Sequence, residues 1–159
     1  MATAIRQKSA PAPALSASSP AGFRSEADFC EVIEAALSEL DSDERSGPLV
    51  RATRLRMRLE LPDISAVVNI AVGDAGAGDL RWGFSDDGEW DSKLRFSMDS
   101  EVANRFLQGR ESLAIAIVRG RVRCEGEARY TLLYVPALRL LVEPYRHAVR
   151  RHRPELALD

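Results

Sequence analysis

Residues 53–61 read TRLRMRLEL, and in this stretch two kinds of side chain alternate strictly. After Thr53, leucine or methionine occupies every second position and arginine or glutamate the positions between, which is the period of a strand with one buried face. Upstream, the apolar residues of segment 26–40 recur at helical spacing, and Ser25 is placed to cap that helix. The chain therefore changes from a helical to a strand period between these two segments.

Downstream of this first strand, the sequence predicts a sheet. Three further segments have the composition of strands: 64–72, 80–85 and 92–98. Glycine- and aspartate-rich turns join them, and short connections between consecutive strands predict an antiparallel meander. Asp99 or Ser100 can then cap a short helix that ends near Gly109.

The next segment is open to two interpretations. The apolar run Leu113–Val118 fits a buried strand, but Ser112 could equally cap a helix that ends at Gly120. Arg121–Cys124 has the pattern of a strand, which Gly126 ends.

The last long segment, residues 127–149, is apolar on more than one side, as expected for a helix that buries more than one stripe. Pro136 and Pro144 must kink or split this helix, because proline lacks an N–H and its ring crowds the preceding turn. Segment 41–48 is polar and contains Gly-Pro, which predicts a loop.

Length and composition predict one domain with tails. The chain has 159 residues and a net charge of −2, which argues against a general nucleic-acid binder. We expect a disordered Ala/Pro/Ser-rich tail over 1–22, a domain over 23–151 and a short polar tail over 152–159. The absence of a signal-like or membrane-spanning apolar run predicts a cytoplasmic protein. Basic residues that are almost all arginine, together with abundant alanine, favour a GC-rich bacterial genome.

No group of residues has the spacing of a catalytic, cofactor or metal site. Cys30 and Cys124 lie far apart and are expected to be reduced thiols. His147 and His152 lie five residues apart with no cysteine nearby, and metal binding is not expected there. The carboxylates of segment 86–89 belong to a predicted turn, where water would keep them from acting as a catalytic pair.

The segment Ala116–Gly126, AIVRGRVRCEG, resembles the signature of the sterol carrier protein type two (SCP2) family. In that signature a short helix ends at a glycine, and a strand of alternating basic and apolar residues closes at a second glycine. Gly120 and Gly126 match the two glycines, and Arg121 and Arg123 match the usual lysines. Upstream, a strand, a helix and a glycine over residues 94–109 continue the resemblance.

The resemblance covers about residues 64–146. It implies an α+β fold in which a mostly antiparallel sheet of about five strands is covered on one face by helices. It also implies an apolar cavity between sheet and helices that takes fatty-acyl chains, sterols or similar molecules. The family usually has an aromatic residue at the position of Ile117.

The candidate ligand-contacting residues are the large apolar side chains of the sheet and of the closing helix. They are Trp82, Phe84, Phe96, Met98, Phe106, Ile117, Leu133, Leu138 and Leu141. The same residue types build ordinary cores, so a core role is the alternative. A basic rim of Arg119, Arg121 and Arg123 can attract an anionic membrane surface or an acyl carrier, the alternative being a solvated surface.

Three functions are compatible with the sequence. The first is binding, with transfer, of a lipid or other hydrophobic small molecule without a cofactor. The second is a cavity-based enzyme, such as a cyclase or isomerase, that acts on a hydrophobic biosynthetic intermediate. The third is a protein-interaction domain whose cavity is filled by its own side chains.

Overall fold

The computed structural model describes residues 22–73, 79–86 and 90–159. The helices are α1 (Glu26–Ser42), α2 (Ser46–Ala52), α3 (Ser100–Leu107), α4 (Leu113–Val118), α5 (Ala128–Leu138) and α6 (Val142–His152). The strands are β1 (Arg56–Leu61), β2 (Ala66–Val72), β3 (Leu80–Gly83), β4 (Leu94–Met98) and β5 (Val122–Gly126). The predicted tail over 1–21 and most of the two predicted turns, at 74–78 and 87–89, lie outside the described residues.

The five strands form one sheet in the order β3-β2-β1-β4-β5. β1 pairs with β2 antiparallel, and β2 with β3, as a meander requires. The predicted four-strand meander is nevertheless wrong, because β4 lies beside β1 and runs parallel to it. β1 is buried on one face, and its second edge needs hydrogen-bond partners that only another strand can supply in full.

The sheet has an inner face, which carries the core, and an outer face. The register places Met57, Leu59 and Phe96 together on the inner face, and all three are buried. Arg58 and Arg95 alternate with them on the outer face. The period-two pattern of segment 53–61 therefore reports a real burial alternation, although β1 itself begins at Arg56.

Helices cover the inner face, with α1 and α6 packed along each other. Ser25 caps α1 as predicted, accepting a hydrogen bond from the Asp28 N–H at 3.2 Å. Two histidine–glutamate pairs join the outer surfaces of the two helices: His147 Nδ1 lies 2.8 Å from a Glu39 carboxylate oxygen, and His152 Nδ1 lies 2.9 Å from Glu31.

The closing helix of the sequence prediction is two helices. A 3-10 turn over Arg139–Leu141 separates α5 from α6. Pro136 lies inside α5, and Pro144 lies in the first turn of α6, where its missing N–H costs nothing. Pro144, in the first turn of α6, thus follows directly after the break, and the division into two helices agrees with the prediction that the prolines kink or split this segment.

The segment Leu113–Val118 is a helix, which resolves the ambiguity left by the sequence. The Ser112 hydroxyl accepts a hydrogen bond from the Ile115 N–H. α4 then ends, and Gly120 adopts a φ of +75° before β5 begins. This positive φ is the conformation that glycine adopts most readily after a helix.

The chain that leaves β3 folds over the outer face. Asn69 is 1% exposed, and its side-chain amide donates to the Ser85 carbonyl at 2.9 Å. Arg58 pairs with Asp86 on the same face. Trp90 lies so close to Gly83 that a Cβ there would stand 2.7 Å from the indole ring. Part of the outer face is therefore covered rather than open to water.

A buried polar network holds the C-terminal residues against α3. Asn104 is 0% exposed and Gln108 1%, and both donate side-chain hydrogen bonds to the Leu156 carbonyl, at 3.0 and 2.9 Å. The Tyr145 hydroxyl donates to Asn104 Oδ1 at 3.0 Å, and burial raises the pKa of Tyr145 well above its ordinary value. The side chain of Leu156 is itself buried, so the segment around Leu156 packs against the rest of the domain.

Candidate functional site

A cleft of about 870 Å³ opens where β4 passes into α3 and where α4 passes into β5. This volume lies within the range of roughly 300–1,000 Å³ that is typical of small-molecule sites. The cleft is lined by Pro62, Ser97, Met98, Asp99, Glu101, Val102, Arg105, Gly120, Arg121 and Arg123. It therefore combines charged side chains with an apolar surface.

Two of the cleft arginines are held in place by one carboxylate. The Glu111 side chain is 7% exposed, and it accepts a hydrogen bond from Arg105 Nε at 3.3 Å. It also pairs with Arg121. A guanidinium group has five N–H donors, so both arginines keep donors beyond those used by Glu111. Glu111 thus fixes the two cations at the cleft and lowers their conformational freedom.

The remaining charges of the cleft have both signs. Arg123 is exposed, and among the described residues no carboxylate lies within ion-pair distance of it. Asp99 and Glu101 contribute negative charge at the start of α3. With Glu111, three carboxylates balance the three arginines, but within the described ranges Arg123 is the arginine without such a pair, so the β5 side of the cleft is the part suited to an anionic group.

The start of α3, which forms one wall of the cleft, is capped from a distant part of the chain. The Asp63 carboxylate accepts hydrogen bonds from the Ser100 N–H at 2.9 Å and from the Ser100 hydroxyl at 2.7 Å. The Ser100 hydroxyl also accepts from the Phe23 N–H at 3.2 Å. Asp99, one of the two predicted caps, is the N-cap residue, but its side chain makes no capping hydrogen bond.

We expect Asp63→Ala to lower the free energy of unfolding by about 1 kcal/mol, the usual cost of a lost helix cap. The matched change Asp99→Ala removes a carboxylate from the same turn that makes no capping bond, and it should change stability by less than about 0.5 kcal/mol. Urea denaturation followed by circular dichroism measures both. Equal losses would contradict the assignment of Asp63 as the cap.

The cleft meets the core at two apolar side chains. Met98 is 3% exposed and Val102 9%, and both line the cleft while packing in the core. A void beneath α5, lined only by apolar side chains that include Ile70, Leu138 and Leu141, measures about 10 Å³, roughly the room of one water molecule.

The structure distributes the nine predicted ligand-contacting residues over the core. Phe96, Met98, Leu138 and Leu141 are buried. Trp82, Phe84, Phe106 and Ile117 are partly buried against the core. Leu133 is 47% exposed. Met98 lines the cleft, whereas Leu138 and Leu141 line the small void.

Of the predicted basic rim, Arg121 and Arg123 line the cleft and Arg119 does not. Arg105 and Glu111 are not predicted from the sequence. No local pattern distinguishes them, because Arg105 is an ordinary polar position of α3 and Glu111 lies in the loop that follows. Only the packing of α3 beside the start of β5 brings Arg105, Glu111 and Arg121 together.

Two further features of the described residues bear on function. They contain no group of three or more histidine, cysteine, aspartate or glutamate side chains arranged to hold a metal ion. None of the helices in the same part of the chain has the length and apolar character needed to cross a membrane.

Comparisons with known proteins define the fold. No protein-family model matches the chain, and no curated protein matches it. A conserved hypothetical protein from Thermus thermophilus, suggested to be a sterol carrier protein, is 21% identical, with a TM-score of 0.53, over 82% of this chain and 92% of that chain. Sterol Carrier Protein 2 from Yarrowia lipolytica, in its apo form, is 9% identical, with a TM-score of 0.50, over 77% of this chain and 98% of that chain. The protein therefore has an SCP2-like α+β fold, as the sequence predicted.

A third similarity involves a small part of a longer enzyme. The stereoselective inverting sec-alkylsulfatase Pisa1 from Pseudomonas sp. is 11% identical, with a TM-score of 0.47, over 58% of this chain. This chain spans 13% of the sulfatase. At that TM-score the similarity says nothing about the activity of this chain.

Proposed function

We propose that this protein binds a hydrophobic small molecule that carries an anionic head group, and that it does so at the cleft. The observation that carries the proposal is the junction of two surfaces. Arg121 and Arg123 offer guanidinium donors at the cleft, and Met98 and Val102 connect the same cleft to the core. The SCP2-like fold supports the assignment, since its members in the comparison include a sterol carrier protein.

In this proposal the head group bonds to the arginines and the apolar tail passes between Met98 and Val102. The tail then lies between the inner face and the helices, against those of the predicted ligand-contacting residues that are buried or partly buried. Removing about 250 Å² of tail from water contributes about 6 kcal/mol at about 25 cal/mol per Å², before the cost of association. Micromolar affinity is therefore within reach with few polar contacts.

Binding requires the interior to open. The void of about 10 Å³ cannot hold an acyl chain, so side chains must repack or α5 must move outward. α5 is suited to such a movement because it contains Pro136 and leaves Leu132 79% exposed. The apparent affinity is then lower than the intrinsic affinity, in proportion to the fraction of molecules in the open form.

The predicted basic rim extends the proposal to the source of the ligand. Arg119 is exposed on the turn that leads into the cleft, and with Arg121 and Arg123 it would attract an anionic membrane surface or an acyl carrier. The full proposal is therefore that the protein transfers the ligand between such a surface and the cleft, in the cytoplasm of a bacterium.

The test uses a fluorescent fatty acid and the fatty alcohol of the same length and label. In the double variant Arg121→Glu/Arg123→Glu, we expect the affinity for the acid to fall roughly tenfold or more, since bonds to charged groups are lost and repulsion replaces them. Affinity for the alcohol should fall much less. The control Arg150→Glu/Arg151→Glu reverses two exposed charges of α6 and should leave both affinities unchanged.

An equal loss for acid and alcohol would show that the arginines do not contact the head group. Failure of the wild-type protein to take up either probe, together with no ligand in native mass spectra of freshly purified protein, would contradict binding altogether. That result would favour the interaction domain with a filled interior, an alternative supported by the small size of the void.

A further inference from the structure

Strand β5 forms an edge of the sheet. It pairs with β4 on one side, and within the described ranges no strand pairs with its other side. An unpaired edge presents a row of backbone N–H and C=O groups that can pair with another strand.

Large apolar side chains are exposed on both helices that adjoin β5. On α4, Ile115 is 50% exposed and Val118 86%. On α5, Leu132 is 79% exposed and Leu133 47%. α4 packs against β5, and the Thr131 hydroxyl of α5 hydrogen-bonds the Cys124 thiol of β5. Exposed apolar side chains grouped around one strand are typical of an interaction surface.

The charges of β5 are self-complementary. Arg123 and Glu125 lie on the outer face on either side of Cys124. If two copies of β5 pair antiparallel with Cys124 at the centre, Arg123 of each copy stands opposite Glu125 of the other. Among the described residues, the one ion pair of Glu125 is a long contact of 3.9 Å to Arg95, which leaves room for a closer partner.

We infer that two copies of this chain associate through β5 and form one continuous sheet across a twofold axis. α4 precedes β5 and α5 follows it. Antiparallel pairing therefore brings α4 of one copy beside α5 of the other, and the exposed apolar side chains of the two helices cover one another. The contact is isologous, so it closes at a dimer.

A second copy explains more of these observations than a membrane does. An anionic bilayer would accept the apolar side chains of α4 and α5, with Arg119 nearby. It would leave the backbone edge of β5 unpaired, however, and it would repel Glu125. The second copy satisfies the edge, the apolar side chains and both charges. Arg123 belongs both to this contact and to the proposed ligand site.

The decisive experiment reverses and then exchanges the charges. We expect wild-type protein to be a dimer by sedimentation equilibrium at high micromolar concentration. Glu125→Arg should weaken the dimer roughly tenfold or more, because like charges then stand opposite each other. The exchange Arg123→Glu/Glu125→Arg should restore it. Arg150→Glu, on the exposed side of α6, is the matched control and should not change the dimer.

Cross-linking tests the register. Directly opposed residues of antiparallel strands have Cα atoms about 4.5 or about 5.5 Å apart, within the range of about 4.4–6.8 Å that a disulfide spans. A Cys30→Ser variant retains Cys124 as its single thiol. Mild oxidation should therefore yield a disulfide-linked dimer, and it should proceed faster at alkaline pH because burial raises the pKa of Cys124.

Three results would overturn the inference. One is a wild-type protein that stays monomeric at high micromolar concentration. Another is an exchange variant no more dimeric than Glu125→Arg. The third is a monomer that binds anionic vesicles and loses that binding in Val118→Ser/Leu132→Ser, since the exposed side chains would then serve a membrane. Circular dichroism checks that each variant is folded. The substituted positions are exposed, so the variants are expected to fold.

Discussion

Replacing Asn104 with alanine is expected to lower the free energy of unfolding by about 3 kcal/mol. The Asn104 side chain accepts from Tyr145 and from Gln108, at 3.0 and 2.8 Å, and donates to the Leu156 carbonyl. Alanine leaves the buried Tyr145 hydroxyl without an acceptor and removes one of the two bonds that hold the C-terminal residues. Each buried polar group left unpaired costs about 1–3 kcal/mol.

Tyr145→Phe is the graded comparison for this network. It removes one donor and leaves the other bonds of Asn104 in place, so a loss of about 1 kcal/mol is expected. Ser38→Ala, on the exposed side of α1, is the control and should change stability by less than about 0.5 kcal/mol. Urea denaturation reports all three. If Asn104→Ala cost no more than Tyr145→Phe, the network would not be what secures the C-terminal residues.

The second large effect is expected at Gly126, where β5 ends. Its φ is +133°, and a Cβ there would clash with the Lys93 carbonyl oxygen. That oxygen belongs to the backbone leading into β4, so it cannot move without disturbing the pairing of β4 with β5. Strain at such a φ costs about 1–3 kcal/mol by itself, and with the clash we expect Gly126→Ala to cost about 4 kcal/mol.

Gly120→Ala is the matched control, since it adds the same methyl group at the other glycine of the SCP2-like signature. Gly120 also has a positive φ, +75°, but nothing lies within 4 Å of the position that a Cβ would take. Only the left-handed conformation opposes the change, at about 1–2 kcal/mol. The midpoint of urea unfolding distinguishes the two variants, and equal midpoints would show that the contact with Lys93 does not matter.

The sequence predicts those parts of the fold that depend on local pattern. Segment 26–40 lies within α1, and the alternation of segment 53–61 matches the burial of β1. It does not predict α2, where Gly-Pro indicates a loop, because Pro48 lies in the first turn of that helix. Proline is tolerated there, since the first N–H groups of a helix have no partner within it.

Features that depend on distant contacts could not be predicted. The parallel pairing of β1 with β4 depends on which edge of β1 is left open, and no short stretch of sequence records this. The residues of the cleft also divide into those that a local pattern predicts and those that only distant contacts bring there. Arg121 and Arg123 follow from the alternation of their strand, whereas Arg105 joins them only through the packing of α3 and the shared Glu111.

The tightly filled interior beneath α5 has a thermodynamic consequence. A ligand that displaces the protein's own side chains from this region binds with only part of its packing free energy. The rest offsets the loss of the side-chain packing that the ligand replaces. Occupancy then raises the melting temperature only modestly, and the empty form keeps the apolar side chains around the small void out of water. If the protein binds a ligand as proposed, its empty form is stable, which suits repeated loading and unloading better than storage.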